Sequence, residues 1–181
     1  MNVRSFSDWS LEMSLVEVTT WHLEMTDPGQ LRPAYDSGPE IDYRQAKLCS
    51  PAFGLFLNNA VGGEYNWKMR TKWSDAEWHQ FWDRPELQVW VAYVAGTPVG
   101  FYELETDAGG NTEFVKFGIV SELTGRGFGG RMLTHAVKQA WENGAKRVWL
   151  HTCSLDHPVA RKNYESRGFF LFKTESHQRE V

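Results

Sequence analysis

The sequence predicts one α/β domain of the α+β kind, a single mixed and mostly antiparallel central sheet flanked by helices. Three observations predict it. Three strand-like runs follow one another between Leu87 and Val120, separated only by turn-forming residues. A glycine-rich loop and an amphipathic helix come directly after them, and strand, helix and strand patterns close the chain. The 181 residues, 41% hydrophobic and 23% charged, suit one ordinary domain with a substantial core and not a disordered chain.

Leu15 to Met25, rich in Val, Thr and Trp, reads as a first strand stopped by Asp27-Pro28-Gly29. The prolines and glycines of 28–40 read as a loop, and short helices are expected at 41–49 and 51–60. Ser74 and Glu77 form a capping-box pair that starts a helix with Trp78, Phe81 and Trp82 on one face. Leu87–Val94 and Val99–Glu105 make a hairpin across Ala95-Gly96-Thr97-Pro98, and Glu113–Val120 adds a third antiparallel strand. Small and apolar residues at 129, 132, 133, 136, 137, 140 and 141 follow helical spacing up to the stop at Asn143-Gly144. Arg147–Cys153 is the next strand. Pro158 opens a helix that ends at Gly168, and Phe169–Lys173 is the last strand. No repeat or low-complexity tract divides the chain, so 1–181 is read as one domain with its core at about 15–175.

Several function classes are disfavoured by composition alone. The formal charge is −4, without a lysine or arginine block, which argues against nucleic acid as partner. No apolar run approaches the ~20 residues of a membrane span, and Met1–Asp8 lacks an apolar signal core, so a cytoplasmic protein without a membrane partner is expected. Cys49 and Cys153 fit a reducing compartment. The charge is unevenly placed: residues 1–110 sum to −8 and residues 111–181 to +4. Seven of the nine tryptophans lie in the acidic part, an arrangement suited to a cationic acceptor if those acids converge on a site.

Four glycines between 125 and 130, placed between a strand and a helix, let backbone amides converge on an anion at the positive end of the helix dipole. Phosphate is the natural guest. Gly125-x-Gly127-x-x-Gly130 also spells the dinucleotide fingerprint, but the next strand ends His151-Thr152-Cys153 without the acid that holds a ribose. Antiparallel strands before the loop contradict that fold as well. His151, Cys153, Asp156 and His157 cluster in sequence, yet their spacing matches no zinc signature, and no metal is expected. His151 and Cys153 share a strand face and are candidates to line a cleft.

From Phe117 to Phe169 the chain resembles the GCN5-related N-acetyltransferases (GNAT). Thr124-Gly125-Arg126-Gly127-Phe128-Gly129 matches that family's coenzyme A loop, Gln/Arg-x-x-Gly-x-Gly/Ala, with Thr124 in place of Gln or Arg. His157-x-x-Ala160-x-x-x-Tyr164-x-x-x-Gly168-Phe169 matches its second signature, with His157 in place of Asn. The resemblance implies the GNAT fold, splayed strands forming a coenzyme A cleft, and acetyl-CoA as acetyl donor. It also implies a primary amine of a small molecule or peptide as acceptor, with a homodimer left open as the assembly. Donor binding then falls to Phe117, Gly118 and Ile119, to Thr124, Gly125, Arg126, Gly127, Phe128, Gly129, Gly130 and Arg131, and to His157.

By the same resemblance Tyr164 is the acid that protonates the departing sulfur. The base is Glu113 or a water chain; strand alternation places Glu113 on one face with Val115, Phe117 and Ile119. A coenzyme A sensor without turnover is the competing class, because two motif positions depart from the pattern.

Overall fold

The computed structural model describes residues 15–35, 38–65 and 67–180. Trp9 and the Met1–Asp8 segment lie outside the described residues. Seven strands form one sheet: β1 (Leu15–Met25), β2 (Asp42–Gln45), β3 (Leu87–Val94), β4 (Thr97–Thr106), β5 (Asn111–Ile119), β6 (Arg147–Cys153) and β7 (Phe170–Glu180). Four helices accompany it: α1 (Pro51–Gly62), α2 (Asp75–Trp82), α3 (Phe128–Glu142) and α4 (Ala160–Ser166). The strand order is β2-β3-β4-β5-β6-β1-β7, antiparallel throughout except for the β5–β6 pair. The mixed, mostly antiparallel architecture is the one expected.

Local chemistry explains most of the elements. Ser74 caps α2 through a reciprocal capping box with Glu77. Ala95 and Gly96 join β3 to β4 with φ of 49° and 80°, the positive values that a two-residue hairpin turn requires. Alternation then assigns the faces. Phe101 packs with Leu57 and Val61 of α1, whereas its neighbour Tyr102 joins the core formed by Met132, Leu133, Ala136 and Val137 of α3. Trp78 and Trp82 of α2 close a third cluster with Leu87 and Val89.

Three expectations are corrected. Residues 42–45 are a strand and not part of a helix over 41–49; Asp42 to Gln45 pair with Tyr93 to Trp90 of β3, a long-range contact without a local signature. The final strand runs on to Glu180 because its partner β1 is itself eleven residues long. The third correction concerns the face assignment of Glu113. Glu103 pairs with Lys116 and Leu104 with Phe114, so Val115 is an extra residue in β5. This bulge reverses the alternation. Phe114, Phe117 and Ile119 face the α3 core, and Glu113, Lys116 and Gly118 face α1.

On the α3 side, His135 stacks on Tyr43 at 3.8 Å between centroids, and its Nδ1 lies 2.8 Å from the Tyr102 hydroxyl. Burial, reinforced by Lys138, pushes the imidazole down to about 4. The folded protein therefore holds His135 neutral where the unfolded chain protonates it. Stability is full above the ordinary histidine value near 6.5 and declines as pH falls from there toward 4. The Tm is expected to drop by several degrees between pH 7 and pH 5 in scanning calorimetry, and His135→Gln to flatten that decline. An equal decline in the variant would place the acid sensitivity elsewhere.

Candidate active site

The β5–β6 ladder is short. Asn111, Thr112 and Glu113 pair with Arg147, Val148 and Trp149, and beyond them the strands diverge. The divergence is where the bulge at Val115 bends β5. Between Phe114–Ile119 and Leu150–Cys153 it opens a cleft of about 640 Å³ that passes from one face of the sheet to the other.

Its α3 side carries the glycine loop and Tyr164. Gly125 and Gly127 have φ of 76° and 81°, left-handed values that an L side chain adopts only with strain. Those turns bring Gly125, Gly127, Phe128, Gly129 and Gly130 to the cleft at the N-terminus of α3, whose first turn contains no acid. An anion meets free amides and the positive end of a dipole there. Arg167 adds charge: a Cβ on Gly130 would sit 3.0 Å from its Nη1, and its Nε is buried without a hydrogen bond among the described residues. This cradle fits a phosphate-bearing cofactor.

Tyr164 is 7% exposed and packs edge-on against Phe117 and Phe169, at 5.9 and 6.2 Å. Burial and then Asp156 raise its phenol well above the ordinary tyrosine value, so it is a neutral proton carrier at physiological pH.

The α1 side differs in character. Val61, Tyr65, Trp67 and Met69 line it, with Lys116 at its floor. Gly118 has no alternative there, since a Cβ would collide with Val61. His151 and Cys153 also line the cleft, as their shared strand face predicts. Asp156 is turned inward, accepting from the Thr152 hydroxyl and the Cys153 amide at 2.8 Å each.

The sequence-predicted residues divide as follows. Phe117, Gly118, Ile119, Thr124, Gly125, Gly127, Phe128, Gly129, Gly130, His157 and Tyr164 all line the cleft. Arg126 and Arg131 lie in the loop and the first turn of α3 without lining it. Glu113 does not reach the cleft either. Its Oε1 lies 3.5 Å from Nδ1 of His151, which does.

Lys116, Trp67, Lys162, Asn163 and Arg167 line the cleft without having been singled out from the sequence. The last three share one short helix and its end with Tyr164, so the second signature itself could have pointed to them. Lys116 could be placed only by knowing the bulge. Nor do the acids of the first half converge on the site: among the described residues, Asp156 is the only carboxylate lining the cleft.

Comparison with known proteins gives a consistent result. Residues 57–169 match the model of the acetyltransferase (GNAT) family. Among solved structures, a GCN5-related N-acetyltransferase from Kribbella flavida is 24% identical with a TM-score of 0.62, covering 92% of this chain and 60% of that one. One from Sphaerobacter thermophilus is 16% identical with a TM-score of 0.65, covering 90% and 51%. A GCN5-related N-acetyltransferase-like protein from Streptococcus suis is 13% identical with a TM-score of 0.62, covering 92% and 63%. The chain thus spans between 51% and 63% of the length of these structures, and the likeness is one of fold. No curated protein matches the chain. Among the described residues, no helix is long and apolar enough to cross a membrane.

Proposed function

Because the chain belongs to the acetyltransferase (GNAT) family, we propose that it is an acetyl-CoA-dependent N-acetyltransferase acting directly on a primary amine of a small molecule or peptide. The observation that carries this reading is the cleft itself, which joins a glycine cradle for phosphate to a buried neutral phenol across splayed strands.

When bound, acetyl-CoA supplies a thioester whose acyl carbon accepts the amine lone pair as the carbon–sulfur bond breaks. The amides of Gly125, Gly127, Gly129 and Gly130 hold its phosphates, with Arg126, Arg131 and Arg167 as counter-charges and Thr124 and His157 at the rims. The backbone of Phe117, Gly118 and Ile119 offers the donor arm a strand edge and an amide for the thioester oxygen. Tyr164 gives its proton to the sulfur. Glu113 receives the proton leaving the amine, relayed by His151 or by water.

Differential scanning fluorimetry with acetyl-CoA, followed by thiol release across a panel of primary amines, tests the reading. At 100 times its Kd the donor stabilises by about 2.7 kcal/mol, a Tm rise of roughly 5–10 °C for a domain of this size. Gly127→Val, which cannot hold the left-handed turn, is expected to weaken donor binding about tenfold. No stabilisation by acetyl-CoA would reject the proposal, and stabilisation without thiol release for any amine would favour the sensor. In active enzyme, Glu113→Gln is expected to lose the acidic limb of the kcat/KM profile; a wild-type limb assigns the proton to water alone.

A further inference from the structure

Building on the acetyltransferase reading, we propose that the acceptor is an amine that also carries an anionic group, recognised by Lys116 on the α1 side of the cleft. The donor cradle lies on the opposite side of the sheet. What remains for the acceptor is the wall of Tyr65, Trp67, Lys116, His151 and Arg179. That wall contains two basic side chains and two aromatic rings; of the carboxylates near it, Asp156 lines the cleft but already accepts from the Thr152 hydroxyl and the Cys153 amide, and Glu113 lies outside the lining against His151.

Lys116 is the best placed of these groups. Its ammonium sits 4.1 Å from the centroid of Trp67, a contact that orients the charge without neutralising it. Glu103, its cross-strand partner on β4, is not available, because Arg70 already binds both carboxylate oxygens at 2.6 and 2.9 Å. Burial, with Arg70 as the next cause, pushes Lys116 down to about 8. A group in that condition gains from a ligand anion more than a solvated lysine does, since most of its own desolvation has already occurred.

The arrangement also suits the chemistry. Attack on a thioester requires the amine without its proton, and nearby positive charge shifts the acceptor amine toward that form. The same lysine would thereby bind one end of the acceptor and help deprotonate the other. An acceptor whose sole charge is its ammonium gains nothing from Lys116 and Arg179 and finds in Asp156 a carboxylate already engaged by Thr152 and Cys153.

The test uses the full chain and three probes of one shape: 4-(aminomethyl)benzoate, its carboxamide, and the corresponding phosphonate. Acetylated product is measured by mass spectrometry. Probe binding to the protein saturated with coenzyme A is measured by calorimetry, which reads the proposal even without turnover. The benzoate or the phosphonate is expected to exceed the carboxamide at least tenfold in kcat/KM and in affinity, and whichever leads identifies the anion. Lys116→Met should bring the ratio near one, whereas Lys116→Arg should keep it. Equal handling of charged and uncharged probes, binding of none of them, or a preference unchanged in Lys116→Met would overturn the proposal. Failure of the acetyltransferase reading itself has a different signature, the absence of any Tm shift with acetyl-CoA.

Discussion

Replacing Tyr164 by phenylalanine is expected, on the proposed acetyltransferase reading, to lower kcat about 100-fold while leaving the KM for the donor and the Tm close to wild type. Only one hydroxyl is lost. The ring keeps its edge contacts with Phe117 and Phe169, and among the described residues the hydroxyl makes no hydrogen bond whose loss would loosen α4. On that reading the remaining cost is expected to fall on the leaving group. A thiolate departing beside Phe117 in the cleft would have little solvent to stabilise it, and the neutral phenol of Tyr164 would be the proton source at hand. Steady-state kinetics at saturating donor settle the matter. A kcat within threefold of wild type would transfer the role to water, and a collapse in Tm would show that the hydroxyl is structural.

The second large effect is on stability. Arg70→Met is expected to destabilise the fold by about 3–5 kcal/mol, because it leaves the Glu103 carboxylate buried and unpaired. Arg70 and Glu103 are 7% and 2% exposed, and the guanidinium also lies over Phe81 at 4.0 Å and Trp73 at 5.1 Å. The pair joins the segment before α2 to the middle of the sheet. The double variant Arg70→Met with Glu103→Met should recover most of the loss, since two apolar side chains remove the stranded charge together with its partner. Urea titration of both variants and wild type gives the comparison. A double variant no better than the single one would assign the cost to lost packing over Phe81 and Trp73 in place of the unpaired charge.

Much of the fold was legible because its signals are local. The capping box at Ser74, the turn at Ala95-Gly96 and the helical spacing of α3 each act within a few residues, and each produced the element expected. The strand at Asp42–Gln45 was not legible, since its four mostly polar residues become a strand only by pairing with β3 some fifty positions away. The cradle and Tyr164 were legible for a related reason: each sits in a compact motif. The character of the α1 side of the cleft was not. Lys116 depends on a bulge, Trp67 lies in an irregular segment after α1, and the ion pair beneath them joins residues 33 apart. Summed charge placed acidity in the first half of the chain, but a sum does not say which side chains reach a cleft.

The extra residue in β5 has a consequence for how such a protein can change. By inverting the pleat halfway along one strand, Val115 places Phe117 and Ile119 on the α3 face beside Lys116 and Gly118 on the α1 face. Odd and even positions beyond the bulge therefore belong to different faces of the sheet. A substitution at position 116 thus alters the α1 side of the cleft while leaving the α3 face of the same strand as it is. Loss of a single codon at 115 would instead exchange the two faces at once.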